Sequence, residues 1–405
     1  MRIFYFCYLD LAMSGSAPLH VRLDARKLAE LGHRVLVFAP RWGHTRPEEP
    51  FEIRYLPTAP GKVLGVLTYQ VSLLLWGLTL ALRLRPDILY AREMSFSVVG
   101  PLLAALTRRP YVMEINGVMR EEVRPGSAYR RLRLRLAELV EGLNARLAAR
   151  VVTVTEEMRQ TLARIHHLPL DRIVVCPNGT DEDHFRPRDA TECRALLGWD
   201  PARRYVGFLG SLAPWQGLEY IVEAAPLILS QCPDAMFPVI GGGVMEQEVR
   251  RLVESRGLTA HFLFSDGRVP YGMAPVYINA FDVCLCVKQK LASGCSPLKL
   301  FDYMACAKSV VATRMAAFDI VEQYGVGRLV DPEDTAAVAS ACLELLGDET
   351  GCKEMGRRAR LAVERSHSWL RTAQLVERVC LGATGQRGHK PPIQVGTSRT
   401  GKVAE

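Results

Sequence analysis

Short apolar runs alternate with segments of helical spacing along this chain, and the alternation occurs twice. In the first half Ile3–Tyr8 reads as a strand, followed by the small-residue loop Ser14-Gly15-Ser16-Ala17-Pro18. Leu19, Leu23, Leu28 and Leu31 then share helical spacing, closed by Gly32. Val35–Ala39, 87–90, 111–113 and 151–154 read as further strands. In the second half the strands are 205–209, 237–240, 262–264, 283–287 and 310–312, with helices predicted over 217–229, 246–255 and 297–306. Strands separated by helices form parallel sheets with crossover helices. The stretch Cys176-Pro177-Asn178-Gly179-Thr180-Asp181, running on to Arg186-Pro187, is the natural linker between two such units. The fold class is therefore α/β, with two Rossmann-like domains whose parallel sheets face a central cleft.

Composition is consistent with two full cores: 405 residues, 49% hydrophobic and 23% charged. The formal net charge of +8 suits a phosphorylated substrate or an anionic membrane. No nucleic acid is expected, since no zinc-finger spacing, RNP-like stretch or basic-region heptad occurs. Eleven cysteines are dispersed without CxxC spacing, which fits a reducing compartment and gives no metal site. The apolar start ends at Asp10, too short for a signal peptide. The expected location is cytoplasmic, peripheral at the inner face of a membrane.

Two segments bear on that last point. Residues 63–82 carry no charge and are flanked by Lys62, Arg83 and Arg85. The length could span a bilayer, but Thr68, Tyr69, Gln70, Ser72, Thr79, Gly65 and Gly77 interrupt it. It reads as a buried helix of a Rossmann-like layer, with a helix on the membrane surface as the alternative. Residues 124–150 interleave Arg124, Arg130, Arg131, Arg133, Arg135, Arg146 and Arg150 with Leu132, Leu136, Leu139, Leu143 and Leu147. This is either a solvated charged face or a second membrane-surface contact. Residues 382–405 read as a mobile tail.

The candidate site is the run Ser296-Pro297-Leu298-Lys299, continuing to Asp302. Ser296 suits an N-cap and Pro297 the first helical position. A helix start offers free N–H groups and a positive dipole end. Lys299 opposes that dipole, a local cost that makes sense if an anion sits there. Asp302 lies on the same face, where it either accepts sugar or ribose hydroxyls or pairs with Lys299 on a solvated helix. Gly210-Ser211 and Gly241-Gly242-Gly243 are glycine turns at strand ends, which let backbone approach a phosphate. GxSxG, HExxH, Walker-A and GxGxxG patterns with their partners are lacking.

These residues taken together resemble family 4 of the retaining glycosyltransferases, which have the GT-B fold, over nearly the whole chain to about residue 380. The resemblance is carried by Leu31-Gly32-His33-Arg34-Val35, by Cys176–Asp181 with Phe185, by Gly210–Gly217, and by the Ser296–Ala305 segment with its Ser-Pro-x-Lys start. It implies sugar transfer from a nucleotide diphosphate, often UDP, to a glycan or lipid-linked acceptor, with retention. It implies no cofactor beyond that donor and no essential metal. It divides the chain into an acceptor domain (1–178), a donor domain (179–366) and a helix returning to the first domain (367–381). By position, Gly210, Ser211, Gln216 and Gly242 would face the diphosphate. Lys299 and the N–H groups near Ser296, Pro297 and Leu298 would neutralise the leaving phosphate. Asp302 would hold the ribose, and Arg268 and Val269 would lie near the base. Gly15, Ser16, Glu114 and Asn116 would face the acceptor side of the cleft. The chain departs from the common pattern at Gly294, where a glutamate is usual, at Ser211 and Gln216, where an Arg/Lys pair is frequent, and at Asn116, where histidine is frequent. A nucleotide-sugar epimerase of related fold and a non-catalytic nucleotide-sugar-binding protein are the alternative functions.

Overall fold

The computed structural model describes residues 1–13, 15–42, 48–94, 96–117, 128–289, 296 and 298–385. Gly294, Pro297, Arg124 and the tail beyond 385 lie outside the described residues.

The first sheet is assembled from β1 (Arg2–Phe6), β2 (Arg34–Pro40), β3 (Glu52–Leu56), β4 (Ile88–Arg92), β5 (Tyr111–Glu114), β6 (Arg150–Thr153) and β7 (Ile173–Val175). Its helices are α1 (Ser16–Glu30), α2 (Lys62–Leu84), α3 (Val99–Thr107), α4 (Ala128–Leu147) and α5 (Glu156–His166). The strand order is β3-β2-β1-β4-β5-β6-β7, with every pairing parallel. Because side chains alternate along a strand, β1 feeds two cores. Phe4 and Phe6 pack towards α2 and α3, while Ile3, Tyr5 and Cys7 pack towards α1. Both phenylalanines are fully buried, at about 1.5–3 kcal/mol of transfer free energy each.

The second sheet follows α6 (Ala190–Leu197). It contains β8 (Arg204–Leu209), β9 (Ala235–Ile240), β10 (Phe262–Phe264), β11 (Val283–Cys286), β12 (Val310–Thr313) and β13 (Gly327–Val330). Between them run α7 (Leu218–Leu229), α8 (Glu246–Ser255), α9 (Ala274–Ala280), α10 (Leu298–Ala305) and α11 (Ile320–Gln323). The order is β10-β9-β8-β11-β12-β13, again parallel. Cys284 and Cys286 share one core, and Val283 and Leu285 the opposite one. The described cysteines are free thiols. Three helices close the chain: α12 (Thr335–Gly347), α13 (Glu349–Ser366) and α14 (Trp369–Ala383).

The chain crosses between the sheets twice at one place. Thr180 N donates to His367 O (2.9 Å) and Trp369 N to Thr180 O (3.1 Å), a parallel bridge between Thr180 and Ser368. Gly179 lies so close to the second crossing that a Cβ there would sit 2.5 Å from Trp369 N. After this crossing α14 packs against α1, placing Ala373, Val376, Val379 and Cys380 in the core of the first sheet.

One expectation is corrected, and one helix is found where it was expected. The apolar segment 63–82 is helical, but it is not a buried helix. Its buried residues are Gly65, Tyr69, Leu73, Gly77 and Ala81, one line of contact on an outer layer. The helix expected over 297–306 is described from Leu298.

Candidate functional site

Ligands of parallel sheets bind beyond the carboxyl ends of the strands. In the second sheet β8 ends at Leu209 and passes into Gly210-Ser211, and β9 ends at Ile240 and passes into Gly241-Gly242-Gly243. The two turns lie side by side. Gly210 N donates to Ile240 O (2.9 Å), and Leu212 N to Gly242 O (3.2 Å). A Cβ on Gly241 would overlap the Gly210 carbonyl oxygen, and one on Gly243 the Leu212 carbonyl. These glycines are therefore required by backbone packing, whatever else the turns do.

Gly210 differs, because its missing Cβ makes room for a side chain. A Cβ there would lie 2.9 Å from Lys299 Nζ. Lys299, in the first turn of α10, donates to Gln216 Oε1 at 2.7 Å and lies 3.7 Å above the centre of the Phe208 ring. Gln216 is buried, and its Nε2 lies 3.4 Å from Ser211 Oγ. Four residues singled out from sequence, Gly210, Ser211, Gln216 and Lys299, thus converge. Phe208 was not foreseen, since in sequence it is one apolar residue of a strand. The buried aromatic face stabilises the ammonium without neutralising it.

Asp302 projects elsewhere. Its Oδ1 accepts from Thr180 Oγ1 at 2.6 Å. Burial pushes the Asp302 carboxyl up to about 7; the Thr180 bond opposes the shift and the charge of Asp181 adds to it. Lys299 and Asp302 engage Gln216 and Thr180 respectively, so an intrahelical Lys299–Asp302 pair does not describe this face. Ser296 Oγ accepts from Asn178 Nδ2 at 2.8 Å. The hydroxyl expected at the helix cap thus binds the linker, two residues ahead of the first described turn. Pro297 lies outside the described residues. Leu298 opens the helix, half-exposed.

Arg268 spans the cleft. Its guanidinium is 3.6 Å from where a Cβ of Gly15 would be, and its backbone lies against Gly242. Val269 packs, partly buried, against the core of the second sheet. Ser16 opens α1 and is exposed.

Glu114 was expected to face the cleft, and the structure corrects this. It is 1% exposed and fully engaged. Oε2 accepts from Tyr5 and Tyr90, both at 2.9 Å; Oε1 meets His20 Nε2 at 2.8 Å, Arg92 at 3.1 Å, and the Asn116 amide. Burial alone would raise its pKa, but His20, Arg92 and Asn116 more than offset that and hold the carboxyl below the ordinary range. Beside it Asp24 is buried with both oxygens unpartnered. Burial and the Glu114 charge push the Asp24 carboxyl well above its ordinary value, and the charge of Arg92 opposes the shift. His20, Asp24 and Glu114 bring ligand atoms within 4.8 Å of one another. With a guanidinium already on Glu114, this donor set suits a carboxylate held by protons and an arginine rather than a metal ion. Sequence reading missed the cluster, although His20 and Asp24 are four apart on α1 and so share a face.

Residues 19–184 match the family model described as Glycosyltransferase Family 4, and residues 203–348 match Glycosyl transferases group 1. The chain belongs to glycosyltransferase family 4. This family 4 chain is 29% identical over 273 residues to the 2-deoxystreptamine N-acetyl-D-glucosaminyltransferase of Streptomyces fradiae, covering 65% of this chain and 63% of that one. It is 29% identical over 235 residues to the D-inositol 3-phosphate glycosyltransferase of Nocardia farcinica, covering 56% and 51%. The match thus spans half to just under two thirds of these relatives. Among solved structures, a glycosyltransferase from Rickettsia africae superposes with a TM-score of 0.73 at 16% identity, covering 94% of this chain and 98% of that one. HepE of Anabaena in complex with UDP-glucose superposes at 0.72 and 20% identity, covering 94% and 100%. At such identities the likeness is one of fold: the family 4 chain has the GT-B architecture, two Rossmann-like domains with parallel sheets.

Proposed function

We propose that this chain transfers a sugar from a uridine diphosphate donor to a glycan or lipid-linked acceptor, with retention of configuration. The observation that carries this reading is the convergence of the Lys299 ammonium, the Gln216 amide and the Ser211 hydroxyl at the carboxyl end of β8. Breaking a glycosyl–phosphate bond builds negative charge on the leaving diphosphate. A cation and fixed donors at that place stabilise the transition state more than the ground state. Lys299 and the first N–H groups of α10 hold the diphosphate, Gly210 lets it approach the backbone, and Asp302 accepts the ribose hydroxyls. Arg268 and Val269 flank the base. The leaving phosphate takes the acceptor's proton, so the reaction needs no separate side-chain base. The UDP-glucose bound by a GT-B neighbour supports the choice of nucleotide.

A panel of nucleotide diphosphate sugars, assayed for nucleotide release with and without lipid or glycan acceptors, tests this. Acceptor-dependent release from a uridine donor is expected. Binding without turnover favours a non-catalytic binding protein, and an isomerised donor favours an epimerase.

A further inference from the structure

The α2 helix meets the first sheet along a single line. Gly65, Tyr69, Leu73, Gly77 and Ala81 are its buried residues, spaced four apart. The Tyr69 hydroxyl donates to Cys7 O at 2.7 Å and Phe38 O at 3.0 Å, pinning the helix to the strands. On its other side Leu67, Val71 and Leu75 are 56%, 59% and 62% exposed. A helix facing water carries polar residues there.

The pattern continues on the two neighbouring helices. On α3, Leu102 and Leu106 are exposed. On α4, Ala137, Glu141, Asn144 and Ala145 turn inward, while Leu132, Leu136, Leu139, Leu143 and Leu147 form an exposed stripe of helical spacing. The three helices lie side by side over one face of the sheet, so their stripes make one surface. Single exposed leucines are ordinary, but a contiguous patch of this extent marks an interaction site. Exposed arginines frame it: Arg131, Arg133 and Arg135 at the start of α4, Arg83 and Arg85 at the end of α2. Among the described residues these helices expose no acidic side chain; Glu141 pairs with His166 at 2.6 Å, and Glu138 is half-buried.

We propose that this face docks on an anionic lipid bilayer, with α2, α3 and α4 lying in the plane of the interface. Apolar side chains enter the acyl boundary and arginines reach back to the headgroups. The length of α2 would allow it to cross a membrane, but spanning would break the Tyr69 bonds and strip the sheet of its cover. A second copy of the chain would bring more arginines to a face that exposes no acid. Helices in a parallel sheet run antiparallel to the strands, so the arginine-rich start of α4 lies at the cleft end. An acceptor anchored in the bilayer would be presented there.

Flotation of the full chain with vesicles tests this without reference to the donor. Vesicles of phosphatidylcholine with about a third phosphatidylglycerol should carry the protein at low salt, and high salt should release much of it. The surface variant L75E/L139E should lose binding while keeping its thermal melt and its UDP affinity in solution, which separates this inference from the donor reading. R131Q/R133Q/R135Q should bind roughly a hundredfold more weakly, at about 1 kcal/mol per arginine. A wild-type chain that stays with the soluble fraction at low salt, or L75E/L139E floating like wild type, overturns the proposal. Light scattering that shows a dimer dissociated by L75E/L139E overturns it in favour of an interface between copies.

Discussion

The Thr180 hydroxyl donates a 2.6 Å hydrogen bond to Asp302 Oδ1, joining the linker to α10 across 122 positions of sequence. The acid proposed to hold the ribose is therefore tied to the hinge. Its carboxyl is raised by burial to about 7 against an ordinary value of 3.8. A carboxyl raised on folding favours the folded state most when protonated. Its contribution is full below about pH 4, is lost as pH rises to about 7, and is flat above. Asp302→Asn should flatten that decline in thermal melts between those limits. In the wild type, UDP affinity by calorimetry should rise with pH through about 7, as the carboxylate becomes the better acceptor.

Lys299→Ala should remove transfer and leave the fold. The side chain is half-buried and rests on Phe208, so its loss opens space at the surface and not in a core. With the positive charge at the leaving group gone, kcat/KM should fall about 100- to 1000-fold. A circular dichroism spectrum and melting temperature like those of the wild type would accompany the loss. Near-normal kcat in this variant would remove the site assignment.

Gly179→Ala should strain both crossings together. The new methyl would meet Ser368 and Trp369 backbone, and backbone cannot move aside as a flexible side chain can. A loss of about 3 kcal/mol in urea denaturation is expected. Gly198→Ala provides a comparison: its φ of +68° also favours glycine, but nothing lies within 4 Å of the added methyl, so it should cost only about 1 kcal/mol of backbone strain.

Glu114→Gln and Asp24→Asn should act in opposite ways. The first takes the counter-charge from the partly buried Arg92 and breaks the bonds that Tyr5, Tyr90 and His20 make to a buried carboxylate, a loss of about 3 kcal/mol. The second replaces an acid whose carboxyl burial pushes well above its ordinary value with a neutral side chain of similar shape. A carboxyl raised on folding loses its contribution as pH climbs above about 4, where the unfolded chain ionises, so Asp24→Asn should gain on the wild type from there upward. Chemical denaturation at about pH 4 and at neutral pH checks both.

Much of the fold was legible because periodicity and burial agree in a parallel sheet. Glu246–Ser255 was read to the residue, and Cys284 and Cys286 share a core as their spacing required. The reading went wrong where a rule about one helix was asked to decide between partners. The run 63–82 carries no charge on any face, which signals burial in a soluble protein, and periodicity cannot say that only one line of it meets the sheet. At the site, Lys299 was legible as a charge placed against a helix dipole. Its contacts Gln216 and Phe208 lie 83 and 91 positions away, and no local pattern marks them. Glu114 was placed by family position on the acceptor side; its ring of donors comes from β1, α1 and β4, brought together only by strand order.

The return of α14 to the first sheet bears on how the chain comes off the ribosome. Ile3, Tyr5, Val37 and Val112 share their core with Ala373, Val376 and Cys380. The first sheet is complete by residue 175, yet one of its faces is only partly covered until some 200 residues more have been made. The second domain is in effect an insertion within the first and can finish folding before it. During synthesis the amino-terminal half must wait with an apolar face open, which is when a chaperone would find it.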